Sequence, residues 1–155
     1  MLKMVFLTPV LLSIAISASA NPLVGKWIYS HDECVGGKTP NDRWSVLGLV
    51  NRSLIYSNNN EVVETAIFET KDKRKCAGSL SGTFFVQNSQ VIETINFIQS
   101  EDLKRCGIEI LTKKNVPRSS DFTVTGSDLR LKRPDGGEHV CERAGALTEI
   151  FVREQ

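Results

Sequence analysis

The sequence predicts an all-β fold, an antiparallel up-and-down β-barrel of about eight to ten strands, and three observations carry that reading. Apolar and polar residues alternate along most of the chain. Turn-forming residues interrupt the alternation at short intervals, and no stretch sustains a helical period. The connections are too short for parallel strands, which need crossovers of a dozen or more residues, and they suit antiparallel neighbours. Closing such a meander removes its exposed edges and leaves an interior that is filled by side chains or holds one small ligand.

Taken in chain order, the first strand is expected from Val24 to Tyr29. A second runs from Trp44 to Ser57 with a bend at Gly48, and the turn Asn58-Asn59-Asn60 closes it. Val62, Glu64, Ala66 and Phe68 then alternate with Val63, Thr65 and Ile67. The segments Thr83 to Gln87 and Val91 to Ile98 flank Asn88-Ser89, and the latter alternates Val91, Glu93, Ile95 and Phe97 against Ile92, Thr94, Asn96 and Ile98. A short helical turn is predicted from Ser100 to Arg105: Ser100 is the cap, Glu101 and Asp102 sit at the positive end, and Lys104 and Arg105 at the negative end. Further strands are expected from Ile108 to Thr112, Phe122 to Thr125, Leu129 to Arg133, Glu138 to Glu142 and Leu147 to Arg153. Gly126-Ser127-Asp128 and Pro134-Asp135-Gly136-Gly137 supply turns between them.

Residues 1–20 have the build of a signal peptide. Lys3 starts it, an apolar run from Val5 to Ile16 is broken by Thr8, Pro9 and Ser13, and Ala18-Ser19-Ala20 offers small residues for cleavage. Residues 21–155 are then one secreted or periplasmic domain of 135 residues, enough for a single core. Without Lys3 the basic residues fall from 19 to 18 and match the 18 acidic ones. A neutral chain speaks against a nucleic-acid binder or an electrostatic membrane adsorber. No membrane anchor is expected, and a monomer is. The basic cluster Lys71, Lys73, Arg74 and Lys75 is interrupted by Asp72 and reads as a solvated loop tip.

The expected first strand opens Leu23-Val24-Gly25-Lys26-Trp27. This G-x-W resembles the start of the lipocalin superfamily and of small secreted bacterial proteins with lipocalin-like domains. The order that follows is similar to theirs: Cys34, Ser53-Leu54-Ile55-Tyr56, Asn58 to Asn60, Val62 to Phe68, Asp72 and Cys76, so the likeness covers residues 23 to 87. It implies that Gly25 permits a tight entry into the strand and that the Trp27 indole plugs one end of a barrel. It also implies an arginine from near the chain end over that indole, with Arg153 the best placed and Arg143 the second. Stacking of this kind is worth about 0.5–2 kcal/mol.

Four cysteines, Cys34, Cys76, Cys106 and Cys141, behind a leader read as two disulfides. In the up-and-down order of the likeness, the first strand ends at the rim where Cys34 sits and the third returns to that rim at Cys76. The expected pairs are thus Cys34 with Cys76 and Cys106 with Cys141, and the sequence leaves the two other connectivities open.

Motifs of catalysis are absent: the chain has no G-x-S-x-G, H-E-x-x-H, Gly-rich phosphate loop or Cys-x-x-Cys. His31, Asp32, Glu33, His139 and Cys141 are the residues a metal could use, but the cysteines serve better as a disulfide and alternate strand residues face apart. No catalytic residue, metal or cofactor is therefore assigned. Glu61 with Glu64, or Glu93 with Glu109, would be the carboxylate pairs, and acids on strands usually face solvent. Phe84, Phe85, Phe97, Tyr56 and Trp44 either pack the core or wall a cup, in which Asn96, Thr94 or Arg52 would orient a ligand.

The function expected is a non-enzymatic barrel that binds a small apolar or amphipathic ligand in its interior. The alternative is a protein-binding module, such as an inhibitor of a secreted hydrolase, which resembles the small periplasmic barrel inhibitors of proteases and would use Asp32 to Asn41 and Lys71 to Ala77 as contact loops.

Overall fold

A computed structural model describes residues 21–35, 47–110, 112–133, 141 and 147–155. The elements are β1 (Gly25–Cys34), β2 (Leu49–Tyr56), β3 (Glu61–Glu69), β4 (Lys75–Gln87), β5 (Gln90–Gln99), α1 (Glu101–Arg105), β6 (Pro117–Thr125), β7 (Asp128–Lys132) and β8 (Leu147–Arg153). Each strand pairs antiparallel with the one before it, and β8 pairs with β1 to close the barrel. The closing register sets Trp27 opposite Arg153 and Cys34 opposite Leu147.

Two of the turns follow directly from their residue type. Asn60 and Asn88 adopt φ of 63° and 56° between β2 and β3 and between β4 and β5, a left-handed conformation that asparagine tolerates. The closed end is filled by apolar side chains: Leu23, Trp27, Leu54, Val62, Phe84 and Phe151 are buried in one cluster with Tyr56. Tyr56 and Phe84 meet edge to face at 4.7 Å, and Tyr29 meets Phe151 at 5.7 Å.

Eight strands form among the described residues. Several run further than the sequence pattern suggests: β1 continues to Cys34, β4 starts at Lys75, and β6 starts at Pro117. Partner strands extend pairing through polar stretches such as Lys75–Ser79 because every ladder group finds a neighbour in a closed barrel. The strand expected from Ile108 to Thr112 does not form at its described residues, 108–110 and 112; this stretch follows α1 as irregular chain and turns Ile108 and Ile110 onto the core. Their apolar alternation serves packing without pairing. The expected strand from Glu138 to Glu142 lies outside the described residues except for Cys141, as do the leader and Trp44.

Candidate functional site: a charged ring beneath an apolar cup

Strand alternation directs six charged side chains inward. Arg52 shares a face with Leu54 and Tyr56 on β2, Glu64 with Val62 and Phe68 on β3, Glu93 with Val91 and Ile95 on β5, and Glu149 with Leu147 and Phe151 on β8. Arg118 on β6 stands in phase with the buried Ser120, and Arg133 follows Leu129 and Leu131 of β7.

These six close a circuit of alternating sign. Arg52 donates from Nε to Glu64 Oε1 at 2.7 Å, and from Nη1 and Nη2 to the two oxygens of Glu149 at 2.8 and 3.3 Å. Arg118 donates from Nη2 to Glu64 Oε2 at 3.3 Å and from Nε to Glu93 Oε2 at 2.8 Å. Arg133 completes the ring, with Nη1 on Glu93 Oε2 at 2.6 Å and Nε on Glu149 Oε2 at 3.1 Å. Tyr56 Oη adds a bond of 2.6 Å to Glu93 Oε1. Three guanidiniums balance three carboxylates, so the buried set is neutral, which is the condition for holding charge away from water.

Burial alone would raise the carboxyls, but the arginines outweigh it. The Glu93 carboxyl is held down at about 2 by Arg133, Arg118 and the Tyr56 hydroxyl. Glu64 and Glu149 are also lowered against burial, the first by Arg52 and Arg118 and the second by Arg52 and Arg133. All three are therefore ionised acceptors at neutral pH.

Above the ring lies a cavity of about 420 Å³, within the range of small-molecule sites. Arg52, Glu64, Glu109, Arg118, Arg133 and Glu149 form its charged part; Leu47, Ala66, Phe68, Leu80, Leu103, Ile108 and Ile110 form apolar walls. It occupies the end of the barrel where α1 and both disulfides sit. Gly78 is what lets α1 approach: a Cβ there would fall 2.3 Å from Leu103 Cδ1. The Ala77 amide donates to Asp102 Oδ2 at 2.7 Å and the Cys76–Cys106 bridge follows, so the α1 segment is pinned to β4 on one side of the mouth.

The disulfides correct the expected pairing: Cys34 joins Cys141 and Cys76 joins Cys106, with Cα–Cα separations of 5.7 and 6.4 Å. All four cysteines share one rim, so the rim alone does not choose the pairs. Cys34 and Cys76 stand three strands apart, about 14 Å at the usual strand spacing, beyond the reach of a bridge. Closure instead sets Leu147, at the start of β8, opposite Cys34 at the end of β1, and α1 carries Cys106 back over β4.

At the opposite end Arg153 lies over the Trp27 ring, its Cζ 4.2 Å from the centroid, and donates to the carbonyls of Val24 and Pro22. Trp27 Nε1 donates to the Leu23 carbonyl at 2.7 Å. Gly25 has φ of 143°, and a Cβ there would come 2.9 Å from Arg153 Nη1. Arg143 and His139 lie outside the described residues. His31 is exposed and bonded to Ser30 and Glu33, and Cys141 is spent in its bridge. Among the described residues no cluster of His, Cys, Asp and Glu could hold a metal.

Of the polar residues considered as ligand contacts, Arg52 lines the cup, whereas Asn96 is exposed and Thr94 does not line it. Phe85 and Phe97 point outward, and Tyr56 and Phe84 belong to the closed end. Glu64 and Glu93 are not solvent-facing, and Glu93 is bonded to arginines, not to Glu109.

A closed antiparallel barrel of eight strands, plugged at one end by an indole under a guanidinium and hollow at the other, is a lipocalin-like fold carrying two disulfides. The lipocalin-like protein from Bacteroides uniformis shares it, with a TM-score of 0.52 over 86% of this chain and 100% of that one at 14% identity. An uncharacterized protein from Bacteroides eggerthii aligns over 85% of this chain and 99% of its own, with a TM-score of 0.46 and 12% identity. In sequence, no protein-family model and no curated protein matches the chain. The disulfides mark a non-cytoplasmic protein, and among the described residues no helix is long and apolar enough to cross a membrane.

Proposed function

We propose that the protein is a secreted or periplasmic, non-enzymatic carrier that holds one small amphipathic molecule in the cup above the charged ring. The observation that carries this reading is the 420 Å³ cavity with apolar walls on a polar floor. That combination buries a hydrocarbon body and fixes the orientation of one polar end. The ring supports a binding role over a catalytic one. Each of its carboxylate oxygens accepts a hydrogen bond, five from arginines and Glu93 Oε1 from Tyr56, and the carboxylates stay ionised, so none is poised to exchange a proton near neutral pH.

Native mass spectrometry of the protein, purified without denaturation from its own compartment, tests the proposal. A small added mass that leaves on denaturation is expected. A bare two-disulfide chain that also ignores a panel of lipids, haem and pigments would overturn it and favour a filled platform for a protein partner.

A further inference from the structure

The floor of the cup has a chemical polarity of its own. Each of the six oxygens of Glu64, Glu93 and Glu149 already accepts at least one hydrogen bond. The donors are in surplus. Arg118 uses Nε and Nη2 in the ring, and Arg133 uses Nε and Nη1, while Arg133 Nη2 is buried with no partner. A buried guanidinium N–H without an acceptor is costly, but Arg133 Nη2 is closed to solvent, so the donor capacity a ligand can use is that of Arg118, which lines the cavity. Arg118 is also the most open member of the ring, with its side chain 24% exposed against 12% for Glu64 and 0% for Glu93.

From this surplus we infer that the cup selects an amphipathic carboxylate, its head accepting from Arg118 and its chain lying against Phe68, Leu80, Leu103 and Ile110. The inference rests on the carrier reading and adds the head-group class to it. A carboxylate suits the fork of a guanidinium and makes charge-assisted bonds. An ammonium head would bring further donors to a floor whose acceptors are taken. Glu109 also lines the cavity, from the exposed segment after α1, and is the lining carboxylate that lies outside the ring.

Calorimetric titration of the full chain with decanoate, 1-decanol and decyltrimethylammonium separates the claims. Decanoate is expected to bind at least about tenfold more tightly than decanol, the scale of one charge-assisted bond, and the ammonium more weakly than either. Arg118→Gln should bring decanoate down to the decanol value and leave decanol unchanged, which also reports an intact cup. If the variant does not fold, the wild-type series decides alone. Equal affinities for decanoate and decanol would overturn the head-group assignment and leave the carrier standing. Preference for the ammonium would overturn it in favour of recognition at Glu109. Binding of none of the three, with a bare native mass, would overturn the carrier reading as well.

Discussion

Glu93 shows what one side chain can hold in place. It is fully buried and takes donors from Tyr56, Arg118 and Arg133, which sit on three different elements or their ends. Removing it takes one carboxylate from each of two guanidiniums, leaving Arg118 with Glu64 and the largely buried Arg133 with Glu149. Glu93→Leu is therefore expected to cost about 3–5 kcal/mol, read as a fall in the denaturant midpoint at unchanged slope. A loss below about 1 kcal/mol would mean that water replaces the carboxylate and that the ring is not a dry network. Residue type hid this network, because acids on strands usually face solvent. Phase was the readable signal. Glu64 stands in step with Val62 and Phe68, and Glu93 with Val91 and Ile95, so both occupy inward positions. Arg52 shows the same phase with Leu54 and Tyr56. What periodicity could not supply is which charges meet, since that depends on the closed register of strands far apart in the chain.

The element that shapes the cup is α1 with the chain that follows it. Leu103 is its buried residue, seated over Gly78, and the Cys76–Cys106 bridge ties it to β4. The two bridges differ in the loops they close, with separations of 30 and 107 residues. In the chain-entropy model, losing Cys76–Cys106 costs about 3.6 kcal/mol and losing Cys34–Cys141 about 4.8 kcal/mol. Paired alanine variants should follow that order in thermal stability, and non-reducing peptide mapping should recover these two links. Recovery of Cys34 linked to Cys76 would contradict the barrel closure itself. The strands were legible wherever one face is apolar, as in β3, β5 and β8. The start of β4 was not, because Lys75–Ser79 carries little apolar pattern and is a strand by virtue of its neighbour β3. Ile108 to Ile110 show the converse error: strand-like alternation arises in any segment that must point alternate residues at a core.

At the scale of the whole molecule, the barrel divides into an apolar closed end, a neutral ring of charge and a cup. The ring couples folding to pH in one direction. Glu64, Glu93 and Glu149 bind protons less readily folded than unfolded, where such a carboxyl titrates near 4.5. Their contribution is complete above that value and is lost as pH falls toward about 2, with Glu93 alone worth on the order of 3 kcal/mol. The melting temperature should hold steady from neutral pH to about 5 and drop below it. A melting temperature unchanged down to pH 2 would show that these carboxylates are not held in ion pairs.

The claim on which the functional account turns is that the hollow end, and no other surface, receives a small amphipathic molecule. Methyl-resolved NMR of the full chain titrated with decanoate addresses it directly. Leu47, Leu80, Leu103, Ile108 and Ile110 line the cavity, whereas Leu23, Leu54 and Leu129 pack the closed end and Val50 and Val152 are exposed. Saturable shifts confined to the first group are predicted. Shifts centred on Val50 and Val152, with the cavity methyls unmoved, would contradict it.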